Sequence, residues 1–251
     1  MLINYIRTAL RNFRRNKLIF TINLFGLSIG LATCLVAGLY IKHEYLTDQF
    51  HQDINSIYRI TTKFKTWNLS STPYLLTEGL QRDFGSVRET LRTNGKTLTV
   101  RIAGEDDFND EVIFSDPGFF SFFTFPLEHG NAKQVLKDLR QVVISNEIRQ
   151  KFFVSRQPIG ETIQLKLGEQ FVDFEITGVA QPVPSYSSIS FDFVIPLENH
   201  YANTNHSKED WEDLFMTSFV KIEKSKLQAL IDDMPDFMKR HGVTEISPGM
   251  S

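Results

Sequence analysis

Several stretches of this chain carry residue types that could do chemistry, but none has the spacing that the chemistry needs. Gly95-Lys96-Thr97 resembles the close of a phosphate-cradling loop, yet that loop requires a glycine five residues earlier, where the chain has Thr90. The six histidines are scattered, with no HExxH and no pair at metal-binding spacing. No G-x-S-x-G elbow occurs to expose a serine nucleophile. The acidic run Glu105, Asp106, Asp107, Asp110 and Glu111 lacks the alternating oxygen ligands of a calcium loop and suits a solvated turn. Cys34 is the single cysteine, so no disulfide and no cysteine zinc site can form within one chain. The expectation is therefore a protein that is not an enzyme, with no catalytic, cofactor-binding or metal-binding residues.

Three other patterns remain. From Leu18 to Ile41 the chain runs 24 residues without a charged side chain, and a helix of that length rises about 36 Å, enough to cross a hydrocarbon core of about 30 Å. Within it Gly26, Gly30, Cys34 and Gly38 recur every fourth residue. That spacing stacks small residues on one stripe where another helix backbone can approach closely. Before the span lie Arg7, Arg11, Arg14, Arg15 and Lys17, a basic set suited to anionic lipid headgroups. The third pattern is Phe119-Phe120-Ser121-Phe122-Phe123-Thr124-Phe125. On a short helix Phe119, Phe120, Phe122 and Phe123 share a wide face, which is either a hydrophobic plug between two lobes of the fold or an apolar contact surface for a substrate or partner. Exposure alone separates the two.

Charge orients these features. The first 41 residues hold five basic and no acidic side chains, and 27 less these 5 leaves 22 basic against 30 acidic residues in the remainder. The positive-inside rule then places the N-terminus in the cytoplasm and everything after about residue 45 outside. An acidic domain of this kind does not attract nucleic acid. A cleaved signal peptide has a shorter apolar core. The lipoprotein-like Leu31-Ala32-Thr33-Cys34 is followed by further apolar residues up to Ile41 where a processed lipoprotein turns polar. In residues 1–17, Leu2, Ile6, Ala9, Leu10 and Phe13 fall on one helical face and the arginines on another. That pattern fits a helix lying in the headgroups, or a basic collar continuing the spanning helix.

Beyond the span, alternation of apolar and polar residues predicts strands at Ile57–Phe64, Val87–Thr93, Thr97–Ala103 and Glu111–Ser115, then at Gln141–Ser145, Thr162–Leu167, Val172–Ala180, Phe191–Pro196 and Leu214–Ile222. Helices are predicted from Thr72-Pro73 to Phe84, with the threonine as N-cap, at Asn146–Phe153 and at Lys224–His241, with a last strand at Val243–Ile246. The outer parts, residues 45–111 and 213–251, read as strand-helix-strand twice, the split βαβ arrangement. Residues 112–212 read as an inserted, strand-rich lobe. The fold class is thus α+β, one transmembrane helix followed by a two-lobed domain.

Taken in order, these residues resemble a known family. The basic segment followed by Ile22-Asn23-Leu24-Phe25-Gly26-Leu27-Ser28-Ile29-Gly30 is similar to the start of FtsX-type ABC transporter permeases, especially MacB-like ones. Asp48-Gln49-Phe50-His51 with Ile57-Tyr58-Arg59-Ile60 resembles the segment just outside their first helix. Ser115-Asp116-Pro117-Gly118-Phe119-Phe120, Val142-Val143-Ile144-Ser145, Pro158-Ile159-Gly160-Glu161-Thr162, Thr177-Gly178-Val179 and Phe191-Asp192-Phe193 follow in the order of the MacB-like periplasmic core domain. The resemblance implies a permease subunit with a porter-like lobe and an inserted lobe, partnered by an ABC ATPase subunit and a second permease copy in the inner membrane. ATP hydrolysis by that partner would move the extracytoplasmic domain to export or extract a substrate that the sequence does not identify. It also implies at least three further membrane helices, so the chain, ending at Ser251, is expected to be the first part of such a permease. The alternative is a single-span binding or sensor module without transport.

Overall fold

Alternating apolar residues make a strand two-faced, and each strand must bury at least one face against another layer. The chain divides into a unit at residues 1–49 that holds one long helix and a folded domain at residues 50–251, where this burial takes place. The computed structural model describes residues 4, 5, 7, 11, 17–63, 68–201, 204, 206–243 and 247–250.

The helical unit is dominated by α1, Lys17–Leu46, a continuous 30-residue helix with no buried residue. At 1.5 Å per residue it is about 45 Å long, and it continues past Ile41 through Lys42, His43 and Glu44, which form its polar end. Asn4, Tyr5, Arg7 and Arg11 are also helical and exposed. The apolar face expected of Leu2, Ile6, Ala9, Leu10 and Phe13 lies outside the described residues.

The domain opens with a short 3-10 turn, Ile54–Ser56, and continues β1 (Ile57–Lys63), β2 (Asn68–Leu69), α2 (Leu76–Asp83), β3 (Val87–Ile102) and β4 (Phe108–Ser115). Then come α3 (Phe119–Phe122), β5 (Leu127–His129), β6 (Gln141–Ile144), α4 (Asn146–Phe152), β7 (Thr162–Leu167) and β8 (Gln170–Ala180). It closes with β9 (Phe193–Pro196), α5 (Glu198–Tyr201), β10 (Thr217–Ile222), α6 (Lys224–Arg240) and β11 (Ser247–Met250). This is the mixed α+β architecture expected of the sequence.

Two sub-structures share β3. The first is an antiparallel sheet ordered β11-β1-β10-β3, with strand pairs such as Ile57 with Lys221 and Phe219 with Leu91. That order arises when two strand-helix-strand units interleave. Helices α2 and α6 cover one face, burying Ile60, Leu80, Val220, Ile222, Met234 and Phe237. Gly79 lets α2 sit close to α6, since a Cβ there would lie 2.7 Å from Phe237 Cζ. The second is a ring of six strands, β3-β4-β9-β6-β8-β7 and back to β3, closed by Val100 opposite Leu165. Closure removes the free edges of a sheet, and the inward residues Val112, Phe114, Ile144, Leu165, Ile176, Phe193 and Ile195 fill the interior.

Two local expectations change. The sequence splits residues 87–103 into two strands, but β3 is one 16-residue strand. Its first half pairs with β10, its second with β4, and its end with β7. Asn94 is held in the strand by donating from Nδ2 to the Phe215 carbonyl at 2.5 Å. Thr72 does not cap α2, which begins four residues later. Instead Thr72 is buried and bridges to Met216, with its hydroxyl 2.6 Å from Ser218 Oγ. Of the expected last strand, residues 244–246 lie outside the described residues, and β11 follows at Ser247–Met250.

Candidate functional site

Leucine, isoleucine and phenylalanine cover α1 on every side, and the helix leaves them uncovered: Leu18 is 75% exposed, Phe25 64% and Leu39 67%. Exposed apolar surface of this extent in a helix long enough to span a bilayer is the surface of a membrane segment. Gly26, Gly30 and Gly38 are open, with no atom within 4 Å of a Cβ built on any of them. Cys34 is exposed beside them as a free thiol. The small residues therefore form an accessible stripe along α1. Arg7, Arg11 and Lys17 are exposed at its N-terminal side, whereas Arg14 and Arg15 lie outside the described residues.

The phenylalanine run answers differently. Phe119, Phe120, Phe122 and Phe123 are between 0% and 2% exposed, and Phe125 is buried with them. The contact-surface expectation for these four is corrected by this burial. They pack on the outer face of the ring through Ile113, Val143 and Val194, and on Leu91 and Phe219 at the face of the antiparallel sheet that the helices leave open. Several of the rings meet edge to face, as Phe123 does with Phe219 at 5.0 Å, an arrangement that aromatic quadrupoles favour. The segment thus fills the seam between the ring and the sheet. Thr124, between two buried phenylalanines, has φ of 53°, a conformation that a β-branched residue adopts only when its surroundings demand it.

An ion-pair node that sequence reasoning missed holds the start of this segment. Arg92 on β3 is almost wholly buried and grips Asp116 with two guanidinium nitrogens, at 2.9 and 3.1 Å. The Arg92 backbone N–H also donates to Asp116, at 2.8 Å. A third guanidinium nitrogen reaches Glu78 of α2 at 3.0 Å, and the group lies 3.9 Å above the Tyr74 ring. Burial works against the charge on Arg92, but its hydrogen bonds to and attraction by Asp116 hold its pKa above the usual arginine value. Three elements are thereby tied to one side chain: α2, β3 and the turn that leads into α3. The only hint in the sequence was the Ser115-Asp116-Pro117-Gly118 turn, and nothing local marked Arg92 as its partner.

Asp192 sits in a cleft of about 280 Å³ lined by Glu111, Glu147, Pro184, Ile189 and Phe191 among others. Burial, followed by hydrogen bonding and repulsion from Asp110, pushes its carboxyl up to about 7. Ser145 Oγ donates to Asp192 at 3.2 Å while accepting from the Ile148 N–H as the cap of α4. His200 is likewise displaced, lowered to about 4 by burial and then by Lys96. Among the described residues there is no cluster of three or more His, Cys, Asp or Glu able to hold a metal ion.

Comparison with known proteins places this geometry. The chain matches the MacB-like periplasmic core domain over residues 20–235. Its fold is similar to a domain of a Porphyromonas gingivalis protein assigned as a permease, at 18% identity and a TM-score of 0.68, covering 80% of this chain and 92% of that one. It is also similar to the periplasmic region of MacB from Actinobacillus actinomycetemcomitans, at 12% identity and a TM-score of 0.56, covering 77% and 88%. A third likeness is to the extracellular domain of the noncanonic ABC-type transporter YknZ from Gram-positive bacteria, at 16% identity and a TM-score of 0.55, covering 77% and 99%. Among curated proteins, none matches the chain.

Proposed function

Because the chain belongs to the family of MacB-like periplasmic core domains, a component of transporter-type permeases, we propose that it is the permease subunit of an ABC transporter whose ATPase is a separate partner. The observation that carries this reading is a family match over residues 20–235 that takes in both α1, a helix of membrane-spanning length with no buried residue, and the folded domain after it. The reading has the N-terminus in the cytoplasm, because all five charges before the span are basic. It has residues 45–111 with 213–251 acting as a porter-like lobe, and residues 112–212 as the insert. The Gly26, Gly30, Cys34 and Gly38 stripe packs against other membrane helices, including those of a second permease copy. ATP binding in the cytoplasm favours one arrangement of those helices, and their displacement moves the domain to export or extract a substrate. The domain itself supplies shape and linkage rather than bond-breaking chemistry, in keeping with motifs that never reach catalytic spacing.

The test is purification of the tagged full chain from native membranes in mild detergent. Recovery of an ABC ATPase subunit in stoichiometric amount, with vanadate-sensitive ATP hydrolysis, is the expected result. Repeated recovery without any ATPase would sink the reading and leave a single-span binding or sensor module in its place.

A further inference from the structure

The four residues that begin the folded domain, Phe50 to Asp53, belong to no strand, yet Phe50, His51 and Gln52 meet the Phe123–Phe125 segment and Asp53 meets Lys221. The Phe50 ring lies 5.6 Å from Phe125 and 6.2 Å from Tyr186. His51 is buried, with its ring 5.0 Å from Phe125 and 5.6 Å from Phe123. The Gln52 backbone N–H donates to Thr124 Oγ1 at 3.2 Å. Asp53 accepts from the Lys221 ammonium at 3.3 Å. Lys221 in turn is only 9% exposed in its side chain, pairs with Glu89 of β3 at 3.4 Å, and lies 4.8 Å above the Phe122 ring.

The unusual backbone of Thr124 belongs to the same arrangement. Its left-handed conformation turns the chain so that Phe123 and Phe125 both enter the seam while the hydroxyl between them meets the Gln52 N–H. A glycine would suit that backbone better but would offer no hydroxyl. A buried lysine, a strained threonine and the rings of Phe123 and Phe125 thus converge on four residues of connecting chain. Connecting chain of this kind ordinarily runs over the surface with few fixed contacts.

We infer that Phe50–Asp53 is a clamp through which displacement of the membrane helix is delivered to the domain at the Phe119–Phe125 segment and Lys221, rather than along the backbone into β1. This inference rests on the proposed transport role for its purpose, but not for its test. In the clamp, a pull on the chain loads the seam between the ring and the antiparallel sheet before it loads the hydrogen bonds of Ile57–Ile60 to β10. A flexible tether would do the opposite, extending freely until β1 took the strain.

Single-molecule force measurement on the full chain in micelles distinguishes the two. Cys34 is replaced by serine, and handles are attached at Thr47→Cys and Glu169→Cys, the latter on the exposed turn between β7 and β8. The expected trace has no extension step before the domain ruptures. Asp53→Asn and Thr124→Gly each introduce a low-force step of about 20 Å, the length of roughly six freed residues. Thr124→Gly relieves the backbone while deleting the hydroxyl, so its thermal midpoint is expected to hold even as the step appears. A low-force step already present in the parent chain would overturn the clamp, and so would variants whose traces match the parent. Neither result depends on whether an ATPase partner exists.

Discussion

The two most apolar stretches of this chain, α1 and the Phe119–Phe125 run, meet opposite fates. No residue of α1 is buried, while the five phenylalanines of the run are between 0% and 3% exposed. Their composition differs less than their context. The run is seven residues long and finds its partners on β3, β4, β6, β9 and β10, so the domain satisfies it internally. Helix α1 is thirty residues long with apolar side chains all round, and only lipid or other helices can cover such a surface. One stretch therefore stabilises the domain, and the other directs where the domain is held.

That contrast can be broken most severely at the seam. Phe119→Ala removes a fully buried ring and is expected to cost about 3–5 kcal/mol in urea unfolding of the domain; a loss below about 1 kcal/mol would mean that the seam contributes little. Asp116→Asn strips Arg92 of its best partner while Glu78 remains, and about 3 kcal/mol is the expected loss. If that variant unfolds at the parent's urea midpoint, the node does not hold α3 in place.

Smaller effects sharpen the comparison. The Asp192 carboxyl is raised in the folded state to about 7, above its unfolded value near 3.9. Between those values the folded state binds more protons than the unfolded one, so this group lowers stability as pH rises from about 4 to about 7 and is flat above. Asp192→Asn keeps an acceptor for Ser145 and removes the titration. Its gain in melting temperature over the parent should be larger at pH 8 than at pH 5, and equal gains at both would refute the assignment. Gly30→Leu is expected to leave the melting of the domain unchanged, because a Cβ there meets nothing within 4 Å beyond the backbone of its own helix. The same change should weaken helix association in a membrane two-hybrid assay several-fold, and unchanged association would remove the packing role of the stripe.

Local patterns were legible in the sequence and long-range ones were not. Alternation located β7 at Thr162–Leu167 with its observed bounds, and α6 begins at Lys224 as its pattern indicates. The apolar run from Leu18 marked α1 because a spanning segment needs no partner within the chain to be recognised. The course of β3 through Asn94-Gly95 was hidden, since two polar or small residues resemble a turn unless the Phe215 carbonyl waiting for Asn94 is known. Closure of the ring by β3 and β7 joins residues more than 60 positions apart, and alternation says only that a strand exists, not which strand it meets. Arg92 with Asp116, and Asp192 with Asp110, were invisible for the same reason. Each pair is made by the fold rather than by neighbours in the chain.

The most direct test of the account is the sidedness of the two units. In a Cys34→Ser background, Lys17→Cys and Glu169→Cys are exposed separately to a membrane-impermeant maleimide on sealed right-side-out vesicles. The account predicts labelling of the thiol at position 169 in intact vesicles and of the thiol at position 17 only after permeabilisation. Labelling of position 17 from outside, with position 169 protected, would contradict an extracytoplasmic domain tethered by α1.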